Sequence, residues 1–133
     1  MPVPVAHQSE SIVVRWVEAF NARDLEGMLA CLAEDVEFYP LRLGGLRGCY
    51  RGHEGVQDWF ANVRHSHSGY QIVLSETRDL GGGRVLASGC LRLDGQCEIE
   101  SFCALDRINE GQIVAAHHYL TDANMIERLG LIP

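Results

Sequence analysis

Residues 14–40 read VRWVEAFNARDLEGMLACLAEDVEFYP, and this stretch decides the fold. Ile12, Val13, Trp16, Val17 and Phe20 recur at the spacing of one helical face, so a helix is expected from a cap at Ser9 or Ser11 to about Asn21. Asp24 then caps a short second helix that turns Leu25, Met28, Leu29 and Leu32 inward. Residues 36–41 read as a strand, entered through the polar Ala33-Glu34-Asp35. This order places Trp16, Phe20 and Phe38 where they can line one apolar hollow, while Tyr39 alternates away from it.

Working outward, Gly44, Gly45, Gly48 and Gly52 mark an irregular loop. A third helix is expected over about 54–63, where Val56, Trp59, Phe60 and Val63 share a face. Past Gly69 the period shortens, and strands are expected over 70–80, 84–93, 96–108 and 112–120. Asp94-Gly95 between two apolar runs signals a hairpin, with 81–83 and 109–111 as the neighbouring turns. A last short helix follows, with Asp122 as N-cap, Met125, Ile126 and Leu129 inward and Gly130 as its stop. Helices first and a strand meander later define an α+β fold. We expect a cone: a strongly curved, mostly antiparallel sheet wrapped around three helices of the N-terminal half, with the short C-terminal helix after it. One domain spans 1–133, and residues 1–8 read as a loose tail.

Bulk chemistry narrows the function. With 18 acidic against 11 basic residues the net charge is −7, and the cations are scattered rather than striped. Phosphate contacts need clustered Lys and Arg, so no nucleic-acid or membrane-surface partner is expected. No apolar run approaches a membrane span, and the N-terminus lacks the charged and apolar regions of a signal peptide. Five Cys (31, 49, 90, 97 and 103) without a CxxC spacing read as reduced, mostly buried thiols of a cytoplasmic protein.

Three quoted stretches carry a family resemblance: WVEAFNARDLEGMLACLAEDVEFY, then YRGHEGVQDWF, then NEGQIVAAHHYLTDANMIERLGL. From about Ser9 to Leu131 the chain resembles the nuclear transport factor 2-like superfamily, in particular its SnoaL-like members. That superfamily includes polyketide cyclases, ketosteroid isomerase, dehydratases, epoxide hydrolases and non-enzymatic binding domains, so the likeness implies a fold and not a reaction. The first forty residues look most like ketosteroid isomerase. Its tyrosine oxyanion donor falls at Trp16, its aspartate base at Pro40, and its second, protonated aspartate near Cys103 or Ala104. Trp16 offers one N–H donor and Pro40 can abstract no proton, so steroid isomerase chemistry is disfavoured although the pocket can persist. The Asp–Arg–Asp arrangement of limonene epoxide hydrolases has no counterpart that we can place.

The resemblance puts Ala116, His118 and Leu120 on the cavity face of the last strand, which makes His118 the first catalytic candidate. A histidine in an apolar hollow can shuttle protons near neutral pH; the competing reading is a satisfied core or interface histidine. Glu100 is the second candidate. If Asp94-Gly95 forms a two-residue turn, Gly89 faces Glu100, Ala87 faces Phe102 and Leu91 faces Glu98, and a buried Glu100 carboxyl can serve as acid or base. A one-residue slip sends it to the outer face. Asp122 is the third, since SnoaL-like cyclases carry a functional aspartate near this region, although four strand residues from His118 is roughly 13 Å, too far for a hydrogen bond unless the chain turns, and a helix N-cap is the favoured competing reading. Trp16, Phe20, Phe38, Tyr50, Trp59, Phe60, Phe102 and Leu120 are the expected ligand-pocket residues. His65 and His67 with His53 lack matching acids, so no metal is expected, and no cofactor is required. Apolar residues at both parities over 99–105 imply that both sheet faces are covered, the outer one by a second copy in a homodimer. Two function classes follow: a cofactor-independent acid–base isomerase, cyclase or dehydratase acting on a small apolar organic molecule, or a non-enzymatic ligand-binding or protein-interaction module.

Overall fold

The structure is a computed structural model that describes residues 5–40, 49–66, 71–92 and 98–119. The expected C-terminal helix, the Asp94-Gly95 turn, the loop at Gly44–Gly48, Leu41, Cys97 and His67 lie outside the described residues. Nine elements follow one another: α1 (Val5–Asn21), α2 (Leu25–Ala30), β1 (Leu32–Tyr39), β2 (Tyr50–Arg51), α3 (Gly52–Ser66), β3 (Gln71–Gly81), β4 (Arg84–Arg92), β5 (Glu98–Asn109) and β6 (Gln112–Tyr119). The six strands form one open sheet in the order β2-β1-β6-β5-β4-β3. Every neighbouring pair is antiparallel except β1 with β6, which is parallel.

Helix α1 begins at Val5, earlier than a Ser9 or Ser11 cap would place it, since nothing between Pro4 and Ser9 breaks a helix. Its inward face is the one the spacing predicts: Ile12, Val13, Trp16, Val17 and Phe20 are all buried. Its C-terminus closes with paired bonds from Asp24 N to Ala19 O and from Arg23 N to Phe20 O, and Arg23 takes the left-handed φ of 58° that this closure needs. Arg23 also lies over the Phe20 ring at 4.7 Å. Asp24 then caps α2 by accepting from Gly27 N at 3.0 Å. Strand β1 starts four residues before the expected Val36. Leu32 pairs with Ile113, and a register shift between Leu32 and Glu37 absorbs the polar Glu34 and Asp35 facing solvent. The two-residue β2, which periodicity cannot signal at that length, pairs Phe38 with Tyr50.

The sheet curls through irregularities in four of its pairings. One of them lies where β3 passes over Gly89 of β4. A Cβ on Gly89 would meet the Val73 carbonyl oxygen at 1.9 Å and Leu74 Cα at 2.8 Å, beside the shift between Leu74 and Glu76. Only a residue without a side chain lets β3 lie so closely over β4. Asn21, at the end of α1, ties down the edge strand β3 by donating to Ile72 O at 2.8 Å and accepting from Ile72 N at 2.9 Å. This replaces a missing strand neighbour and anchors helix to sheet.

The β4–β5 register differs from the expected one. Gly89 pairs with Phe102, Ala87 with Ala104 and Leu91 with Glu100, and Arg92 pairs with Glu98. The β5 partners of Ala87, Gly89 and Leu91 are each displaced by two positions from those a two-residue turn would give, and a register shift follows between Leu91 and Arg92. The displacement is even, so the concave set Val85, Ala87, Leu91 and Phe102 keeps its face, and all four are buried. On the outer face Leu86 and Cys103 are also buried, with the half-buried Leu80, Leu105 and Tyr119 packed against them. Cys31, Cys90 and Cys103 are buried and Cys49 is half-buried, and none of these four is in a disulfide.

Gly89→Ala should destabilise the fold by about 3 kcal/mol, because the methyl group has to displace backbone rather than a side-chain tip. Urea unfolding checks this, and a midpoint equal to that of the parent chain would refute the account of the curl.

Candidate functional site

The concave side gathers the aromatic residues into one cluster. Trp16 on α1 stacks on Phe20 at 5.7 Å and on Trp59 of α3 at 6.4 Å, and it tilts against Phe38 of β1 at 5.8 Å. Phe38 meets Trp59 edge-on at 4.6 Å, and Phe60 closes on Phe20 at 6.3 Å. Tyr50 is buried beside Phe38 through the β1–β2 pairing. Helical spacing brings the α1 and α3 members together, and strand alternation brings Phe38 and Phe102 to meet them.

His118 stands inside this cluster. Its ring lies 5.1 Å from Phe38, 5.2 Å from Phe102 and 5.5 Å from Trp16, each contact edge-on. Strand alternation sends His117 to the opposite face, where it stacks flat on Tyr39 at 4.2 Å. There Tyr39 donates to Glu37 at 2.8 Å, and Glu37 pairs with Arg51 at 3.6 Å. Hydrogen bonding to Glu37, together with further Glu37 and Cys49 influence, pushes the Tyr39 hydroxyl up to about 12. Burial among aromatic rings, and secondarily the nearby His117 charge, pushes the His118 pKa from 6.5 down to about 3. The His118 residue as a whole keeps a partial opening to solvent. Its imidazole is therefore neutral at physiological pH, a hydrogen-bonding group rather than a carrier of charge.

Two further polar groups are buried in the same cluster. The indole N–H groups of Trp16 and Trp59 have no hydrogen-bond partner among the described residues, although both side chains are nearly inaccessible. A buried donor left unpaired costs about 1–3 kcal/mol, so an acceptor supplied from outside would bind with that cost relieved.

Asp106 was not singled out by the spacing arguments, yet it is the buried charged residue of the described core, at 4% exposure. Its signal was present in the sequence. Phe102 and Ala104 alternate onto the concave face, and the next residue of that parity is Asp106. In the sheet it stands between Val85 on β4 and Ala116 on β6. Its Oδ1 has no partner among the described residues, and burial raises its pKa from 3.8 to about 8.

Of the three catalytic candidates, His118 is placed by the structure as described. Glu100 pairs with Leu91 rather than Gly89, and its side chain lies outside the described residues. Asp122 and the pocket candidate Leu120 lie outside them as well. His53 Nε2 donates to Leu32 O at 2.9 Å, and no group of three or more His, Cys, Asp or Glu suited to a metal occurs among the described residues. None of the described helices is long and apolar enough to cross a membrane. An open groove of about 510 Å³ runs along the outer side of α1, lined by Glu10, Arg15, Glu18 and Thr77. It lies on the helix face opposite Trp16.

An open α+β sheet curled over an aromatic cluster of this kind defines a class of cone-shaped domains. The chain belongs to the SnoaL-like domain family, whose sequence model matches residues 13–116. Among solved structures it is similar to an NTF2-like protein of unknown function from Burkholderia pseudomallei, at 27% identity over 90% of this chain and 95% of that one, with a TM-score of 0.76. It is also similar to TerC, co-crystallized with polyporic acid, at 23% identity over 92% of this chain and 97% of that one, with a TM-score of 0.75. A candidate polyketide cyclase from Sinorhizobium meliloti matches at 14% identity over 82% and 94% of the two chains, with a TM-score of 0.68. The last two likenesses establish the fold alone. No functionally curated protein matches the chain.

The two buried titratable groups give opposite pH dependences. Asp106, raised from 3.8 to about 8, keeps a proton in the native chain that the unfolded chain has lost; stability is highest below 3.8 and falls as pH rises toward 8. His118, lowered from 6.5 to about 3, refuses a proton that the unfolded chain accepts; stability is full above 6.5 and falls as pH drops toward 3. His117, lowered chiefly by burial, acts in the same sense as His118. Between 6.5 and 8 this opposition fades and Asp106 dominates, so stability should fall there by about 1 kcal/mol. Urea unfolding at the two ends of that window measures the fall, and Asp106→Asn should abolish it. An unchanged fall in the variant would show that another group titrates.

Proposed function

We propose that this chain binds a small, largely apolar, ring-containing organic molecule against Trp16, Phe38 and Phe102, and holds an oxygen atom of it with buried N–H donors. The observation that carries this reading is the pair of unpartnered indole N–H groups beside a neutral imidazole in one aromatic cluster. A carbonyl oxygen accepts from such donors. As negative charge develops on that oxygen during loss of a neighbouring proton, fixed donors in a dry site stabilise it increasingly. The reaction class is therefore enolisation of a carbonyl compound, leading to isomerisation, cyclisation or dehydration. The co-crystallization of TerC, which shares this fold, with polyporic acid supports a small-molecule ligand.

The roles divide by proton affinity. His118 polarises the substrate oxygen as a neutral donor, since a nitrogen with a pKa of about 3 is a poor base at neutral pH. Proton removal then falls to a carboxylate, Glu100 on β5 or Asp122 beyond β6. The same low proton affinity of His118 favours the second reading, a binding module without turnover.

Both readings are separated with α-tetralone, a bicyclic aryl ketone. The chain's two tryptophans are Trp16 and Trp59, so their fluorescence reports occupancy of the cluster. Saturable quenching is expected. Trp16→Phe, which keeps the ring and removes the N–H, should weaken binding about tenfold. Proton–deuterium exchange at the carbon beside the carbonyl, followed by NMR, should be accelerated and should fall in Glu100→Gln or Asp122→Asn. Binding without accelerated exchange selects the binding module, and an absence of saturable quenching overturns the pocket assignment.

The outer sheet face is proposed as a homodimer contact. Leu86 and Cys103 are buried within one chain, and the half-buried Leu80, Leu105 and Tyr119 around them are what a second copy would cover. Light scattering at micromolar concentration should give twice the mass of one chain; a monomer refutes the contact.

A further inference from the structure

Asp106 has no part in the proton transfer or the oxygen contact just described, and its position is costly. It sits on the concave wall with Val85 and Ala116 as its cross-strand neighbours, 4% exposed, and Oδ1 has no partner among the described residues. A polar group in such a place is ordinarily paired, and a core built for stability alone would carry an aliphatic side chain there. The register also fixes where Asp106 lies relative to the donors. His118 pairs with Ala104, and Asp106 is the next concave residue along β5. The diagonal separation of such positions is about 7–8 Å, the span of a fused two-ring molecule. Ala116, directly opposite Asp106, pairs in turn with Phe38, whose ring touches both Trp59 and His118. Asp106 and His118 thus stand one diagonal step apart on the concave wall, and the Phe38 ring that touches His118 belongs to the residue paired with Ala116.

We infer that Asp106 is a specificity-determining residue that recognises a hydroxyl group on the ligand, placed across the ring system from the oxygen that the Trp16, Trp59 and His118 donors hold. This inference rests on the pocket reading given above. A carboxyl that stays protonated at neutral pH, as burial dictates here, offers one donor and one acceptor. A hydroxyl offers the same pair in complementary order, so the two satisfy each other without burying a net charge. An ether or a bare hydrocarbon edge leaves the carboxyl unmatched. The ligand class is therefore a hydroxylated cyclic or aryl ketone rather than an unsubstituted one. Recognition by a buried polar group discriminates strongly, because the analogue lacking the hydroxyl leaves that group unpaired.

The test compares α-tetralone with its ring-hydroxylated isomers, using Trp16 and Trp59 fluorescence for affinity. The parent chain should bind the best-fitting isomer about tenfold or more tightly than α-tetralone itself. Asp106→Leu should erase this preference while leaving the α-tetralone affinity within about twofold, and Asp106→Asn, which keeps a donor and an acceptor, should retain part of it. Circular dichroism melts report whether each variant is folded, and Asp106→Asn serves alone if the leucine variant does not fold; loss of the whole preference in the folded asparagine variant also supports the assignment. Equal affinities for all compounds in the parent chain, or a preference that stays undiminished in the folded variants, overturn the role of Asp106 while the pocket reading stands. If neither α-tetralone nor any isomer binds, the pocket reading fails and this inference fails with it.

Discussion

A curled open sheet has to find cover for its concave side, and Trp16 is where that cover is joined. Its ring meets Phe20 of α1, Phe38 of β1, Trp59 of α3 and His118 of β6. One side chain thus connects both long helices to strands from the two ends of the chain. Aromatic pairs of this geometry contribute about 0.5–1.5 kcal/mol each beyond the area they bury. The curl set by Gly89 and the anchoring of β3 by Asn21 bring the sheet edge to the helices, and the rings fill the space enclosed.

The same packing creates the chemistry of the site. Aromatic walls strip water and counter-charges from whatever polar atoms remain among them. His118 loses its proton affinity, Asp106 keeps its proton, and two indole N–H groups go without partners among the described residues. On the outer face, a few ångströms away across the sheet, Tyr39, Glu37 and Arg51 satisfy one another in contact with solvent. The residues differ less than their surroundings do: His117 and His118 are consecutive, yet one stacks on a half-buried tyrosine and the other is enclosed by three rings.

The helices and long strands were legible because their burial is periodic. The face Ile12, Val13, Trp16, Val17 and Phe20, the face Val56, Trp59, Phe60 and Val63, and the opposite directions of His117 and His118 all follow from spacing. The β4–β5 register was not, because Asp94-Gly95 fits a two-residue turn locally, whereas the pairing of Arg92 with Glu98 is decided by the packing of the whole wall. The alternation through Phe102 and Ala104 pointed at Asp106, and the cost of burying it is visible only once its cross-strand neighbours are known. The unpartnered state of the two indoles depends on three-dimensional surroundings that no spacing encodes.

Strand β1 belongs beside β6, and between the two lies most of the chain. Gln112 reaches the Leu32 carbonyl across 80 residues of sequence, and the parallel pairing extends from Leu32 to Tyr39. During synthesis the ribosome delivers β1 long before its partner exists. The first forty residues emerge with their aromatic face complete and no sheet to lay it on. The antiparallel β3–β4–β5 meander can pair locally as it appears, but the wall that carries His118 closes only when the final strand slots in between β1 and β5. Closing so long a loop costs entropy before its contacts reward it, so the β1–β6 pairing is the slow, long-range step of a sheet whose other long strands pair with their neighbours in sequence.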